Sequence, residues 1–393
     1  MKKKLLFVIP SLDAGGAEKS LVNLLNTLDP QRISVDVFLF TKRGLFLTQV
    51  PEFVRIITPG ADMVTFQKPV LRSMLTFLGE GKVKMAWNRL RFAQINRLHR
   101  NRTVAEQRSW PYLRSSVGLL PGSYDAAIGY LEKSSVYFTV DCVRSKIKIG
   151  LIHTFYSKLD ADKSIDSQYF NALAKLINVS AECASDLAAN FPEFSSKMVV
   201  IHNIVSVQLI RSMSVYQVED IGPNPIVSIG RLVELKGFDL AIEAAKILKD
   251  RGVKFQWSII GEGPERDRLQ ALITQYELDD YVYLPGLKEN PYPYIRQASL
   301  LVQPSRYEGK SIVIDEAKIL AKPVILTNFT TAKDQIKHNV NGMIVDMTAE
   351  AIAEGIVKYM TEPEYTQQIV ANLLTEHFGT ESEIEKFYEI INA

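Results

Sequence analysis

The feature that most restricts the fold is a pattern of short apolar runs alternating with amphipathic helical stretches, which occurs in each half of the chain. In the first half, apolar runs at 4–10 and 34–40 flank a stretch with leucines at helical spacing. In the second half, runs at 226–229 and 256–260 flank a helical stretch at 238–251. Strands separated by about 10–15 helical residues are typical of parallel sheets with right-handed crossovers. The sequence therefore predicts an α/β protein.

The chain length and a segment that interrupts the strand–helix pattern indicate two domains of this kind. The chain has 393 residues, more than the roughly 100–200 of a single domain. Its 47% hydrophobic and 23% charged residues exclude a disordered or collagen-like protein. The pattern degenerates at 206–224, which contains Ile-Gly-Pro-Asn before Pro225. We predict two doubly wound Rossmann-like domains at 1–205 and 225–375, a linker at 206–224, and a C-terminal helix within 376–393 that packs back towards the first domain.

The number of cysteines and the hydropathy of the chain indicate in which cellular compartment the protein functions. Two cysteines are too few for a disulfide framework or a cysteine-built zinc site. No window reaches the roughly 18 consecutive apolar residues that a membrane-spanning helix needs. The apolar run at 4–10 is short and is soon followed by acidic residues, so a buried first strand explains it better than a signal peptide. We expect a cytoplasmic protein without a structural metal.

Positive charge is concentrated in one segment. Residues 68–114 contain eleven lysines and arginines and two glutamates, a balance of +9, whereas the whole chain carries +2. Apolar residues interleave with these bases at near-helical spacing, which is typical of helices on an anionic membrane surface. A solvated basic face packed on its own domain is the alternative. A nucleic-acid partner is not expected, because no nucleic-acid-binding motif accompanies the patch.

Two turns at strand ends are candidate phosphate sites. Gly15 and Gly16 follow the first strand, and glycines there let backbone N–H groups approach a phosphate or a sugar at a helix start. A tight turn without a ligand is the alternative. The equivalent turn in the second half places Arg231 and Lys236 near Gly230 and Gly237, and two such cations neutralise a diphosphate. They are otherwise solvated surface charges.

A third element in the second half brings two carboxylates close to a helix start. Glu308 and Glu316 lie eight positions apart across a strand-to-helix junction. If the helix begins near Ser311, the amides of Ser311 and Ile312 face outward as an anion site. One nucleotide sugar can then be bound by amides at the phosphate and by carboxylates at the sugar and ribose hydroxyls. Charges at a helix start and on its surface are the alternative interpretation.

Two further positions bear on catalysis. His153 lies at the end of a predicted strand, and a structural imidazole is the alternative to a functional one. Asp160 and Asp162 form an Asp-x-Asp pair, a carboxylate pattern that can hold a metal-bound diphosphate. The pair does not end an apolar strand and lies among charged residues, so we interpret it as a solvated helix surface.

The motifs in combination resemble those of a known family. The chain resembles the retaining family 4 glycosyltransferases (glycosyltransferase group 1), which have the GT-B fold, two Rossmann-like domains that face each other across a cleft. The matching motifs are Gly15-Gly16-Ala17-Glu18, Gly230-Arg231 with Lys236-Gly237, Gly261-Glu262-Gly263-Pro264, and Glu308 with Glu316. The resemblance spans about residues 4–375, and its second-half motifs are the more specific ones. The first half matches mainly in the glycine turn and in Gly150-Leu-Ile-His153-Thr.

The resemblance implies a role for each matching residue. Arg231 and Lys236 would bind the donor diphosphate, Glu308 the donor sugar and Glu316 the ribose. Gly16 would line the donor from the first domain, and His153 would lie near the anomeric carbon. The implied catalytic residues are His153, Arg231, Lys236 and Glu308, and the implied donor-binding residues are Gly15, Gly16, Gly230, Arg231, Lys236, Gly261, Glu262, Gly263, Glu308, Gly309, Lys310, Ser311, Ile312 and Glu316. Lys310 departs from the aromatic or aliphatic residue that is common after Glu-Gly.

The family's reaction supplies the expected function. The resemblance implies transfer of a hexose or N-acetylhexosamine from a nucleotide diphosphate sugar, with retention, without a metal and without a cofactor. A UDP-sugar is the favoured donor; a GDP-mannose-dependent mannosyltransferase and a non-catalytic subunit that stabilises a partner enzyme are the alternatives. The first domain is the acceptor domain of this fold, so its basic segment predicts a polyprenyl-linked saccharide acceptor in cell-surface polysaccharide biosynthesis. We expect a peripheral protein on the inner face of the cell membrane.

Overall fold

The computed structural model describes residues 2–13 and 15–392, and these form two compact units. The first unit comprises the described residues up to Ile204 together with those from Ser382 onwards. The second unit comprises Val205–Glu381. Each unit is a parallel sheet with helices on its faces, so the predicted α/β class with two doubly wound domains is confirmed.

The strands are short and mostly buried. Among the described residues they are β1 Lys3–Ile9, β2 Ile33–Leu39, β3 Val54–Ile57, β4 Tyr124–Gly129, β5 Ser145–Ile152, β6 Lys175–Asn178, β7 Met198–Val200, β8 Pro225–Ile229, β9 Gln256–Ile260, β10 Val282–Tyr283, β11 Leu300–Gln303, β12 Val324–Thr327 and β13 Met343–Val345. The first sheet has the order β3-β2-β1-β4-β5-β6-β7, and the second has β10-β9-β8-β11-β12-β13. Every pairing in both sheets is parallel, which requires crossover connections.

Helices supply these crossovers. Among the described residues they are α1 Gly16–Thr27, α2 Ala61–Phe66, α3 Val70–Gly79, α4 Val83–Leu98, α5 Arg102–Val117, α6 Ser134–Cys142, α7 Lys163–Ala172, α8 Ala181–Asn190, α9 Val207–Ser214, α10 Phe238–Asp250, α11 Arg266–Gln275, α12 Tyr292–Gln297, α13 Ile312–Ile319, α14 Ala332–Gln335, α15 Ala349–Thr361, α16 Pro363–Thr375 and α17 Glu383–Asn392. Short 3₁₀ helices occur at Leu45–Gln49, Tyr156–Lys158, Pro192–Lys197 and Glu234–Lys236.

The register places the first strand of each unit in the interior of its sheet, third in the strand order. In β1, Leu5 is aligned with Val35 of β2 on one side and with Ala126 of β4 on the other. In β8, Val227 is aligned with Ser258 of β9 and Leu301 of β11. Strands covered on both faces are apolar throughout, and Leu5, Val227 and Leu301 are fully buried. Chain order therefore reverses beside β1 and beside β8.

The C-terminal helix α17 packs within the first unit. Its Phe387 ring stacks on Phe7 of β1, with 5.9 Å between ring centroids. The Tyr388 hydroxyl accepts a hydrogen bond of 2.8 Å from the Asp29 backbone N–H. Its apolar residues at positions 384, 387, 388 and 391 are buried at the spacing of one helix face. This burial accounts for the location of α17 beside β1.

The predicted linker at 206–224 is only partly a linker. Residues Val207–Ser214 form the helix α9, which belongs to the second unit and packs against α12 and α13. The linker prediction was wrong for this helix. Val207, Ile210 and Met213 do lie on one helix face, but the polar residues between them leave no continuous apolar run in the sequence. Ile210 is 1% exposed, and its burial in the second core stabilises the helix.

Candidate functional site

The candidate site of the second unit lies at the carboxyl edge of its sheet, where β9, β8 and β11 are neighbours. Gly230 and Arg231 follow β8, the run 261–263 follows β9, and Glu308 lies in the loop between β11 and α13. Chain order reverses between β8 and β11, and open α/β sheets bind ligands at such a switch point. The structure therefore brings the predicted motifs of the second half to one edge.

Glycines allow the loops at this edge to approach each other. Gly237 has φ of 65°, and a Cβ there would lie 2.0 Å from the Pro304 carbonyl oxygen. A Cβ on Gly261 would lie 1.9 Å from the Gly230 carbonyl oxygen, and one on Gly263 would lie 2.2 Å from the oxygen of Leu232. No side chain fits in these gaps. The glycines are thus required by the backbone geometry itself.

Some predicted donor residues of this edge are engaged within the protein. The Gly230 N–H donates to the Ile260 carbonyl at 3.0 Å, and the Gly261 N–H donates to the Gly286 carbonyl at 3.1 Å. The exposed Glu262 carboxylate pairs with Arg266 at 2.7 Å. These two amides and this carboxylate therefore complete the turns after β8 and β9.

The centre of the edge is an ion pair between Lys236 and Glu308. The Lys236 ammonium donates to Oε1 of Glu308, and the same oxygen accepts from Ser305 Oγ at 2.7 Å and from Gln303 Nε2 at 3.0 Å. The Glu308 side chain is 10% exposed and that of Lys236 is 23% exposed. A desolvated carboxylate needs such donors, because an unpaired buried charge is costly. The structure thus brings together two predicted catalytic residues that lie 72 positions apart.

Arg231 is a cation at this edge that has no ion-pair partner within the part of the chain that the structure describes. It is exposed and lies two residues after the end of β8. An arginine presents five donors in a planar fork that matches phosphate oxygens. Arg231 can therefore bind an anionic ligand without breaking an existing ion pair, whereas Lys236 is already paired with the Glu308 carboxylate.

The start of α13 differs from the prediction in one respect. Ser311 is the N-cap residue, as expected, but its backbone N–H donates to Oε1 of the buried Gln335 at 3.0 Å. The Ser311 amide therefore does not face outward. Glu308 and the side chain of Lys310 lie at the same end of the helix, where Lys310 Nζ is 3.8 Å from Asp315. That end carries the positive pole of the helix dipole.

Glu316 lies inside α13 and is fully buried. The Tyr292 hydroxyl donates to Glu316 Oε1 at 3.2 Å. Burial, followed by the neighbouring Glu316 charge, raises the pKa of Tyr292 well above its ordinary value, so this phenol stays a donor. The tyrosine holds one carboxylate oxygen of Glu316 in place.

The carboxyl edge of the first sheet carries a second polar cluster. His153 follows β5, and Tyr130 follows β4, with 5.3 Å between the two rings. The Tyr130 hydroxyl and Ser20 Oγ of α1 are hydrogen-bonded at 3.0 Å, and Ser20 Oγ donates to Asn203 Oδ1 at 2.6 Å. Burial lowers the pKa of His153 to about 4, against a smaller opposing effect of the Tyr130 backbone. His153 is therefore a neutral imidazole at physiological pH.

Glu132 is a member of this cluster that the sequence interpretation missed. Its Oε1 accepts from the backbone N–H groups of both His153 and Thr154, the latter at 3.1 Å. Burial raises the pKa of this carboxyl group. Glu132 thus fixes the main chain that carries the histidine. Its position, three residues after the end of β4, was the available signal.

Gly15 and Gly16 lie at the start of α1. Gly15 is the N-cap residue, and a Cβ there would clash with the Glu18 carboxylate. A Cβ on Gly16, in contrast, would meet no atom within 4 Å, and the residue is helical. Packing therefore does not explain the absence of a side chain at Gly16.

The Asp-x-Asp pair has a structural role. Asp162 caps α7, accepting from the Ser164 backbone N–H at 3.2 Å, and Arg108 lies 3.4 Å from it. Asp160 accepts from Asn101 at 2.7 Å. Across 2–13 and 15–392 no group of three or more His, Cys, Asp or Glu residues is placed to hold a metal ion. These contacts account for both aspartates.

The comparisons with known proteins agree with the site. Residues 217–373 match the family model described as glycosyl transferases group 1. The second unit is a group 1 glycosyltransferase domain, and the chain has the GT-B fold. This confirms the resemblance to group 1 glycosyltransferases of the GT-B fold.

Relatives and solved structures extend the comparison. A putative colanic acid biosynthesis glycosyltransferase, WcaL of Escherichia coli, is 33% identical over 146 residues, which are 35% of this chain and 36% of WcaL. The matched stretch thus spans about a third of that relative. A Campylobacter jejuni N-acetylgalactosaminyltransferase, whose name specifies a diphospho-undecaprenol substrate, is 24% identical over 94% of this chain and 93% of its own. Anabaena HepE in complex with UDP-glucose superposes with a TM-score of 0.68 at 17% identity, covering 99% of both chains.

Proposed function

We propose that this protein is a retaining glycosyltransferase that moves a hexose or N-acetylhexosamine from a UDP-sugar to a lipid-linked saccharide in cell-surface polysaccharide biosynthesis. The observation that carries the proposal is the arrangement at the carboxyl edge of the second sheet. Exposed Arg231, the Lys236–Glu308 pair and buried Glu316 lie there on a group 1 glycosyltransferase domain. This set matches a diphosphate, a sugar and a ribose in turn.

The charges at this edge fit the departure of a nucleoside diphosphate. Negative charge develops on the leaving phosphate, and cations fixed in advance lower the barrier without reorganising. Arg231 supplies the free positive charge. Lys236 supplies a second positive charge, whose position is fixed by Glu308. Glu308 itself accepts hydrogen bonds from hydroxyl groups of the donor sugar. No metal is needed in this scheme, and no cofactor takes part.

The transfer step balances without a protein nucleophile. The bond between the anomeric carbon and the β-phosphate oxygen breaks, and the electron pair stays with the phosphate. The acceptor hydroxyl oxygen forms its bond on the same face of the sugar, and its proton passes to the leaving phosphate oxygen. The configuration is thereby retained. The neutral His153 binds or orients a hydroxyl group and does not act as the base.

The names of the similar proteins support the donor and acceptor classes. HepE was solved with UDP-glucose, and TarM of Staphylococcus aureus, with a TM-score of 0.67, was solved with UDP. The Campylobacter jejuni relative takes its name from a diphospho-undecaprenol saccharide. WcaL is named for colanic acid biosynthesis and AmsK of Erwinia amylovora for amylovoran biosynthesis. A UDP-sugar donor and a polyprenyl-linked acceptor therefore take precedence over GDP-mannose and over a non-catalytic subunit.

We place the protein at the inner face of the cell membrane as a peripheral protein. A lipid-linked acceptor and a cytoplasmic nucleotide sugar meet at that surface. In the described part of the chain, no helix combines the length and apolarity that crossing a bilayer requires. The basic segment 68–114, which forms α3, α4 and most of α5, is the part that we assign to the anionic surface.

A donor and acceptor assay tests the function. The full-length protein is first screened by thermal shift against UDP- and GDP-sugars, because a ligand that binds only the folded state raises Tm. The stabilising donor is then incubated with an undecaprenyl diphosphate saccharide, and NMR of the product gives the anomeric configuration. We expect a UDP-sugar, transfer, and retention. Inversion, or donor binding without transfer to any lipid-linked saccharide, would contradict the proposal.

A further inference from the structure

The helical insertion of the first unit exposes an apolar stripe that its own fold does not use. On α3, Leu71, Leu75 and Leu78 are 77%, 69% and 48% exposed. On α4, which packs beside α3, Val83 and Trp87 are 64% and 58% exposed. These positions follow i, i+4, i+7 and i, i+4 spacings, so each helix presents one apolar edge. We call this stripe together with the exposed cations Arg72, Lys84 and Arg91 the α3–α4 face.

The opposite side of the same helices already has a core. Phe66, Phe77 and Ala86 are buried together, and Met74, Met85 and Phe92 pack against them. The outward leucines therefore lie outside this core, with Leu71 and Leu75 mostly exposed and Leu78 about half exposed. Exposed apolar groups of this extent mark an interaction surface in soluble proteins.

The charges on these helices select the kind of partner. Neither α3 nor α4 contains an acidic residue. Arg72, Lys84, Arg91 and, in the last turn of α4, Arg97 are exposed, whereas Lys82 is neutralised by Asp62 and Glu80. Arg89 is 8% exposed and donates to the Lys68 carbonyl at 3.1 Å. The face therefore has three cations without an acidic partner beside five apolar side chains. Lys82 and Arg89 instead bind other residues of the same unit and are not part of the face.

Resting on the proposed function, we propose that the α3–α4 face is the surface that docks on a bilayer containing anionic lipids. Leucine, valine and tryptophan side chains enter the boundary between headgroups and acyl chains, and arginine and lysine contact the headgroups. Tryptophan is the residue that favours this depth. A second copy of the chain fits worse, since a symmetric contact would bring three cations against three without an acid on either helix. A nucleic acid could contact the cations but would leave the exposed leucines without an apolar partner.

Trp87 makes this contact measurable. The chain has three tryptophans, and Trp110 and Trp257 are 1% and 0% exposed. A change in tryptophan emission on adding vesicles therefore reports on Trp87. We expect a blue shift and protection from acrylamide with phosphatidylglycerol-containing vesicles and no change with pure phosphatidylcholine. Unchanged emission in the presence of anionic vesicles at low salt would overturn the proposal.

Co-sedimentation with the full-length protein separates the two parts of the face. Leu71→Ser/Leu75→Ser/Leu78→Ser and, separately, Arg72→Ser/Lys84→Ser/Arg91→Ser should each lower partition onto anionic vesicles by about tenfold or more. The matched controls are Val215→Ser/Val340→Ser/Leu374→Ser, three exposed apolar residues of the second unit, and Arg251→Ser/Lys254→Ser/Lys333→Ser, which removes the same charge elsewhere. Both controls should bind as wild type. Equal loss in the controls would show general charge or surface effects and overturn the assignment.

The outcomes distinguish this proposal from the proposed function. Thermal melting and UDP-sugar binding should stay at wild-type values in all four variants, because every substituted residue is exposed. A protein that binds vesicles but transfers no sugar overturns the function alone. A protein that transfers sugar but ignores anionic vesicles overturns the face alone. Two other results would assign the face to another partner and overturn the proposed lipid contact. One is a concentration-dependent dimer that the triple leucine variant abolishes, and the other is tighter binding to duplex DNA than to vesicles.

Discussion

Lys236 and Glu308 form an ion pair at the carboxyl edge of the second sheet, between a loop that follows β8 and a loop that follows β11. Each residue therefore has two roles. It stabilises the junction of two loops, and it is a candidate ligand of the donor. Single substitutions mix these roles, because removing one partner leaves the other charged and partly desolvated.

A double variant separates the two roles. Lys236→Ala should destabilise the protein by about 2–3 kcal/mol, since Glu308 keeps only neutral donors. Lys236→Met/Glu308→Gln removes both charges and should regain most of that stability. Activity should be lost in both variants. Chemical denaturation and transfer assays give the two readouts. Recovered activity in the double variant would remove the pair from catalysis and leave it a structural role.

Gly16 offers a test in which the fold is unaffected. A Cβ there meets no atom within 4 Å, so Gly16→Ala should keep or slightly raise Tm, as glycine to alanine does in a helix. If the donor or acceptor approaches the backbone at this turn, the same methyl group should lower kcat/KM at least about tenfold, equivalent to about 1.4 kcal/mol. Gly60→Ala, also at an open position at a helix start, is the control. Full activity of Gly16→Ala would exclude close approach at Gly16.

Much of the fold follows from local patterns. The strand β9 is predicted to the residue, because a strand covered on both faces gives a mostly apolar run, here with Trp257, Ile259 and Ile260 buried. The strand β3 was missed, since four residues with an arginine at position 55 do not form such a run. Helix α9 was missed because its apolar residues are dispersed among polar ones. Short or half-polar elements depend on tertiary packing that the sequence does not display.

The candidate site is less predictable than the fold. Motif spacing located Arg231, Lys236, Glu308 and Glu316, but it did not show that Lys236 and Glu308 bind each other, since their pairing depends on how two distant loops meet. The Gln335 side chain that occupies the Ser311 amide comes from α14 and had no local signal. Glu132, in contrast, follows β4 at the sheet edge and was accessible to the same reasoning that selected His153.

The pair of Tyr292 and Glu316 tests ribose binding. Glu316→Gln should weaken UDP binding by about tenfold or more, because a charged acceptor for hydroxyl groups becomes a weaker neutral one. Tyr292→Phe removes the hydroxyl that holds Glu316 Oε1 and should weaken binding less, by about threefold, while costing roughly 1 kcal/mol of stability. Calorimetric titration with UDP measures both. Equal affinity of wild type and Glu316→Gln would take Glu316 out of the site.

Chelation tests the role of the Asp-x-Asp pair. Since Arg231 and Lys236 neutralise the diphosphate, we expect transfer activity to survive excess EDTA. Asp162→Ala should act on stability alone, by about 0.5–2 kcal/mol, because it removes the side-chain cap of α7 and the contact with Arg108. Loss of activity on chelation, with recovery on adding manganese or magnesium, would assign a metal to the reaction.

The buried imidazole of His153 predicts how stability depends on pH. Its pKa is about 4 in the folded protein and about 6.5 in an unfolded chain, so the unfolded state binds the proton more tightly. The stability associated with neutral His153 is complete above about pH 6.5 and is lost as the pH falls towards 4. Glu132 acts in the opposite sense, because burial raises its pKa, so the wild type alone does not isolate the histidine. Comparing wild type with His153→Gln at about pH 7.5 and about pH 5 does: the variant should lose about 1–2 kcal/mol less on acidification. Chemical denaturation at the two pH values measures this difference. Equal losses in the two proteins would show that His153 titrates as it does in water, and the neutral imidazole assigned to the candidate site would then be wrong.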